Sequence, residues 1–182
     1  MPQYVGGIGP LNPKLMIIGE APGKYENESG IPFVGPTGQM LDAFLRTAGI
    51  SRNECYITNV VKYQPPFNDL KKLHLINVDL NKQVEDLWET EIKVFHPNCI
   101  LAIGDVALQA TTGLSGIINY RGSILTANDG ITKVVPAIHP ATIFSHYSSD
   151  NEVKGGLDYV WTKLIQADII RAVAESNTAS ID

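Results

Sequence analysis

The residues from Gly19 to Gly38, GEAPGKYENESGIPFVGPTG, combine glycines and prolines with Glu20, Glu26 and Phe33 directly after an apolar run. Glycine and proline at this density suit a rigid backbone wall that comes close to a ligand. Phe33 would offer that ligand a flat face, and Glu20 and Glu26 would offer carboxylates. A flat heteroaromatic ligand fits such a wall, whereas the alternative is a surface loop whose Phe33 plugs the core. The stretch contains neither G-x-x-x-x-G-K-[ST] nor G-x-G-x-x-G, which excludes both nucleotide-phosphate loops. Two further candidates are Asn59, whose amide carries a donor and an acceptor together, and His139, which precedes Pro140. Either could instead be a turn, cap or structural residue. His74, His96 and His146 have no metal-ligand spacing.

These candidates need elements to position them. LMIIG (15–19), YITNVV (56–61), ILAIG (100–104) and KVVPAI (133–138) are short, rich in branched residues and bounded by Gly, Pro or Asn, so they read as buried strands. Helical periodicity appears over 37–49, 82–95, 105–113 and 156–175. Strands alternating with helices predict an α/β fold, a three-layer α/β/α sandwich with a central four-stranded parallel sheet. In such sheets ligands sit beyond the carboxyl ends of the strands, which selects the loops 20–38, 62–73 and 139–149. The candidate residues fall in or beside those loops.

The chain has 182 residues, of which 44% are hydrophobic and 18% charged, enough for a single domain over 1–175 with the tail SNTASID (176–182) expected to be disordered. No apolar run approaches the ~20 residues of a membrane span, and a soluble, cytoplasmic monomer is expected. A net charge of −5 argues against nucleic-acid binding by itself, yet the charge is unevenly spread. Asp79, Glu85, Asp86, Glu89 and Glu91 face only Lys82 over 79–91, whereas Lys62, Lys71 and Lys72 outnumber Asp69 over 59–72. Two cysteines, Cys55 and Cys99, are too few for a disulfide framework or a four-thiolate site.

Gly19-Glu20-Ala21-Pro22-Gly23, Gly30-Ile31-Pro32-Phe33-Val34-Gly35, Thr58-Asn59-Val60-Val61-Lys62 with Pro65-Pro66, and His139-Pro140 occur in this order, and ILAIGDVALQATTG lies between the last two. Together they resemble the family 4 uracil-DNA glycosylases over roughly residues 14 to 170. The resemblance implies a monofunctional enzyme that flips deoxyuridine out of DNA and hydrolyses its glycosidic bond, leaving an abasic site for base excision repair. The implied uracil-binding residues are Glu20, Ala21, Phe33, Asn59 and His139. Asn59 would pair with the base N–H and its neighbouring carbonyl, and a neutral His139 would donate to the carbonyl that gains charge. Glu26 is expected to orient water and Glu20 to hold the pocket backbone. Lys62, Pro65, Pro66, Ile143 and Phe144 would contact DNA, the last two as an apolar wedge, the alternative for these two being the start of a helix packed on the core.

The chain also departs from the family. Asn27 replaces an Asp of the acidic run, and Ala21 stands where other uracil-glycosylase families use Asp. The family's iron–sulfur cluster is expected to be absent, because residues 1–18 contain no Cys and Tyr63 occupies a third ligand position. No other metal or cofactor is expected. A relative that binds nucleic acid or nucleobase without hydrolysis is the alternative reading.

Overall fold

Every residue of LMIIG is buried in β1 (Leu15–Gly19), as expected for long apolar side chains on a strand covered on both faces. The computed structural model describes residues 2–145 and 155–178. After β1 come α1 (Lys24–Ser29), α2 (Pro36–Thr47) and β2 (Tyr56–Asn59). The single helix expected over 82–95 is α3 (Leu80–Leu87), a π-helical turn (Trp88–Ile92) and α4 (Lys93–Phe95) in succession. Then follow β3 (Cys99–Ile103), α5 (Asp105–Thr112), α6 (Ile117–Tyr120), β4 (Leu125–Thr126), β5 (Lys133–Ala137), α7 (Ala141–Ser145) and α8 (Gly155–Ser176). Among the described residues no helix is long and apolar enough to cross a membrane.

The strand order is β2-β1-β3-β5-β4, parallel from β2 to β5. The expected four-stranded parallel sheet is thus corrected to a five-stranded mixed one, because β4 pairs antiparallel with β5. β4 is made by its turn rather than by its own pattern. Asp129 accepts hydrogen bonds from the Ile131 and Thr132 amides, and the Ala127 amide reaches the Thr132 carbonyl. Alternate residues of β1 enter different core clusters. Leu15 and Ile17 join Leu41 and Leu45 of α2 and Ile165 and Ile169 of α8, whereas Met16 and Ile18 join Leu87 of α3, Ile92 and Ala107 of α5.

The start of the expected disordered tail is held in place. Ser176 is 1% exposed, its carbonyl accepts from Asn98 Nδ2, and Lys133 Nζ bonds the Glu175 and Thr178 carbonyls at the end of α8. A cation there satisfies carbonyls that the helix leaves unpaired. Residues 179–182 lie outside the described residues.

The N-terminal segment lies along the exposed edge of β2. Ile8 and Ile57 exchange both backbone hydrogen bonds, and the Val5 amide bonds the Lys62 carbonyl. Tyr4 packs edge-on against Tyr63 with ring centroids 5.5 Å apart. Gly7 passes directly over the Tyr56 hydroxyl, where a Cβ would stand only 2.3 Å away. This cover blunts a sheet edge that would otherwise be open to pairing.

Lys62, expected to face DNA phosphate, is 4% exposed. Its Nζ donates to Thr58 Oγ1 (2.5 Å) and the Asn59 carbonyl (2.8 Å), and it pairs with Glu91 from the π-helical turn. Burial holds the Lys62 ammonium below its ordinary pKa, and Glu91 opposes the fall. Glu91 Oε2 is buried without a hydrogen-bond partner among the described residues. Removing one member of a buried pair strands the other, at a cost of about 3–5 kcal/mol, while an apolar pair of similar volume is often neutral. Urea unfolding of Glu91→Ala should therefore show a loss of about 3–5 kcal/mol, and Lys62→Met with Glu91→Leu should recover most of it. A single variant as stable as wild type would show that water reaches the pair.

Candidate active site

Gly19 and Asn59 end β1 and β2 in direct register, and the two chains leave the sheet side by side through Val60 N–H to Gly19 O (2.9 Å) and Val61 N–H to Glu20 O (3.0 Å). A Cβ at Gly19 would stand 2.4 Å from Phe33 Cζ and 2.5 Å from Asn59 Oδ1. Glycine is required where the aromatic ring and the amide converge on one backbone position.

Phe33 sits in the left-handed region with φ +54°, which is uncommon for an aromatic residue. Three features fix it there. Arg52 donates to the Phe33 carbonyl (2.7 Å) and to the Pro32 carbonyl, and pairs with Asp42 of α2 at 3.0 Å. Gly38 lets α2 press against the same backbone, since a Cβ there would fall 1.9 Å from the Phe33 carbonyl oxygen. Glu26, 7% exposed, accepts from three amides, Gly23 at 3.0 Å, Val34 at 2.9 Å and Gly35 at 2.8 Å. Its two oxygens therefore gather both ends of the loop around α1.

That arrangement corrects the division of labour expected between the glutamates. Glu26 holds the pocket backbone. Glu20 makes no side-chain hydrogen bond to the described residues, and burial raises its pKa above the ordinary value. A carboxylate with unused acceptor positions beside a cavity is the better placed to bind water.

His139 follows β5, half-buried, with its ring nearly parallel to that of Phe33 (26°, centroids 6.4 Å apart). Its Nδ1 accepts from the Ala141 amide at 3.1 Å, which places the hydrogen of the neutral ring on Nε2. Burial pushes its pKa down to about 4, so the ring is neutral at physiological pH. Asn59 is 3% exposed, and its side-chain amide makes no hydrogen bond to the described residues. A polar group so enclosed calls for a hydrogen-bond partner, and the cavity that Asn59 lines is where a ligand can supply one.

These groups line one open cavity of about 480 Å³, within the range of small-molecule sites. Of the residues expected there, Glu20, Ala21, Glu26, Phe33, Asn59, Pro65 and His139 share it, and Pro66 opens the adjoining turn Pro66–Asn68. Thr37, Asn68 and Ala141 also line it without having been expected. Thr37, next to the helix-starting Pro36, carried a weak signal; Arg52 carried none, because the carbonyls it bonds, those of Pro32 and Phe33, lie 20 and 19 residues away.

For Ile143 the expected wedge is corrected too. Ile143 is 6% exposed and belongs to the core cluster with Ile165 and Ile169, because one turn of α7 aims it at α8. It is therefore not placed to fill a base stack. The side chain of Phe144 lies outside the described residues.

Residues 7–160 match the Uracil DNA glycosylase superfamily. Type-4 uracil-DNA glycosylase of Thermotoga maritima is 32% identical over 150 residues, covering 81% of this chain and 75% of the relative. The protein of the same name from Archaeoglobus fulgidus is 30% identical over 171 residues, covering 85% and 82%. That from Pyrobaculum aerophilum is 37% identical over 112 residues, covering 62% and 55%. The family match spans both strand ends, the glycine–proline loop and His139, so the chain belongs to the uracil DNA glycosylase superfamily.

Proposed function

We propose that the protein is a uracil-DNA glycosylase that hydrolyses the bond between uracil and deoxyribose, within base excision repair. The observation that carries this reading is the buried Asn59 amide, unpartnered among the described residues, at a cavity it shares with Phe33 and a neutral His139. In the proposed complex the flipped deoxyuridine enters the cavity. Asn59 Nδ2 donates to uracil O4 and its Oδ1 accepts from N3–H, a pairing that cytosine inverts. Phe33 offers the base an aromatic contact. The C1′–N1 bond breaks with its electron pair leaving on uracil, and His139 Nε2–H donates to O2 as that oxygen gains charge. Glu20 orients a water whose oxygen bonds to C1′ and accepts its proton, which returns to solvent or the departing uracil. The ionised glutamates also favour the cationic sugar of the transition state. The core clusters on alternate faces of β1 support an α/β/α layering for the whole fold.

Asn27 weighs little against activity. Its Oδ1 accepts from the Gln3 amide (2.8 Å), so it ties the N-terminal segment to α1 rather than facing the cavity. The recognition role is tested by Asn59→Ala. Losing a buried recognition pair costs about 1–3 kcal/mol, roughly five- to 150-fold in rate. Uracil release from single- and double-stranded oligonucleotides should fall by that factor with no change in melting temperature. A folded variant working at the wild-type rate would remove Asn59 from recognition. Wild-type protein that retains the oligonucleotide without releasing base would return the binding-only reading.

The pH dependence follows from Glu20 and His139. The working form of Glu20 is ionised and its pKa is raised, so activity should fall on the acid side at a higher pH than an ordinary glutamate would give. His139 stays neutral down to about 4 and adds no limb near its ordinary value. A plot of kcat/KM against pH should show that acid limb in wild type and lose it in Glu20→Gln. A limb centred near ~6.5, the ordinary histidine value, that disappears in His139→Asn would show instead that a charged imidazole matters.

No cluster is part of this proposal. The residues do not fit a four-thiolate group, since Cys55 and Cys99 are both buried in the sheet core with their thiols pushed up to about 12. Tyr63, at the family's ligand position, is packed on Tyr4 instead. Purified protein should be colourless, with activity insensitive to chelator. Stoichiometric iron by elemental analysis, with activity lost on chelation, would overturn this.

A further inference from the structure

Phe67 is 83% exposed, more than any other large hydrophobic side chain among the described residues. It is held there by a built turn. The Asn68 amide bonds the Pro65 carbonyl (2.9 Å), the Asp69 amide bonds the Pro66 carbonyl (3.1 Å), and Gln64 Nε2 bonds Asn68 Oδ1 (3.0 Å). Phe67 and Asn68 both adopt left-handed backbone, φ +58° and +55°. Two successive residues with a Cβ in that region are unfavourable, and turning a phenyl ring into water adds to the cost. Neither the core nor the cavity wall uses this ring.

Its surroundings point to a ligand. Pro65 and Asn68, on either side of it in sequence, both line the cavity, so Phe67 stands at the rim. Lys72 Nζ lies 4.4 Å from the ring centroid, with Asp69 at 4.0 Å as its ion-pair partner, and Lys71 is its neighbour in the chain. A flat aromatic face beside ammonium groups is the combination that binds single-stranded nucleic acid, the ring stacking on a base and the cations meeting phosphates. A nucleotide inserted in the cavity brings the bases of its chain neighbours to that rim.

We infer that Phe67 stacks on the base next to the nucleotide held in the cavity, with Lys71 and Lys72 meeting the adjoining phosphates. This inference rests on the proposed function and assigns the rim contact to the loop after β2. The test compares wild type, Phe67→Ala and Phe67→Trp on single-stranded oligonucleotides with one central deoxyuridine. A second substrate set has abasic analogues on both sides of the uracil. Phe67→Ala should lower kcat/KM about tenfold on the ordinary substrate at unchanged melting temperature, and Phe67→Trp should retain the wild-type rate. On the abasic-flanked substrate the wild-type and Phe67→Ala rates should converge.

An equal loss on both substrates, no loss on either, or a loss accompanied by a lower melting temperature would overturn the inference. So would a concentration-dependent dimer in sedimentation that Phe67→Ala abolishes, because the ring would then cover a second copy. Should wild type release no uracil, the proposed function fails by itself. Phe67→Trp fluorescence then decides the stacking, with quenching by a uracil-free oligonucleotide but not by an abasic one supporting it, and equal or absent quenching overturning it.

Discussion

One buried carboxylate shapes the cavity. Glu26 lies in a short helix inside a loop rich in glycine and proline, a segment with little hydrophobic surface to hold it against the sheet. Its hydrogen bonds from Gly23, Val34 and Gly35 substitute for that missing core, because charge-assisted bonds to backbone amides are roughly twice as strong as neutral ones. They also dictate composition. Gly23 and Gly35 sit so close to the carboxylate that added Cβ atoms would lie 3.0 and 3.2 Å from its oxygens. Gly23 and Gly35 thus answer to packing around one anion, as Gly19 and Gly38 answer to packing around Phe33, and the rigid wall is the consequence.

The strained Phe33 depends on the same closure. With Gly35 fixed by Glu26, α2 begins at Pro36 and carries Gly38 and Asp42 to the positions where they meet Phe33 and Arg52. A φ of +54° costs an aromatic residue about 1–3 kcal/mol, which Arg52 offsets by bonding two successive carbonyls. The ring is then held between Gly19 and the imidazole of His139 rather than left to choose rotamers. A preorganised face loses little conformational freedom when a ligand arrives.

The sequence made legible whatever follows from local pattern. β1, β2, β3 and β5 announced themselves as short apolar runs, and the strand-end rule then gathered Glu20, Asn59 and His139 beside one cavity. β4 stayed hidden because two residues carry no period and its pairing comes from the turn at Asp129. Lys62 was misread because charge is visible in a sequence and burial is not; only the π-helical turn brings Glu91 to it. Ile143 was misread for the converse reason, since an apolar residue after a strand end looks the same whether it faces a ligand or α8. Arg52 could not be found at all, being an ordinary surface-type residue until the fold sets it against Pro32 and Phe33.

Charge placement gives these parts a common logic. Among the described residues no lysine or arginine lines the cavity, which holds Glu20, Glu26 and a neutral imidazole. On the proposed chemistry that bias suits a reaction in which the sugar becomes cationic, since fixed negative charge beside it stabilises it. A cation at the same place would oppose it. The departing base must then be stabilised by dipoles, which a neutral His139 and the Asn59 amide supply. The same bias repels DNA phosphate, so attraction for the strand has to come from outside the cavity. Lys62 does not contribute, being buried against Glu91. Lys71 and Lys72 lie just beyond Asn68, whose neighbours Pro65 and Phe67 carry the rim. On that reading, separating cations at the rim from carboxylates within would let a chain of net charge −5 hold an anionic polymer while keeping its reaction centre negative.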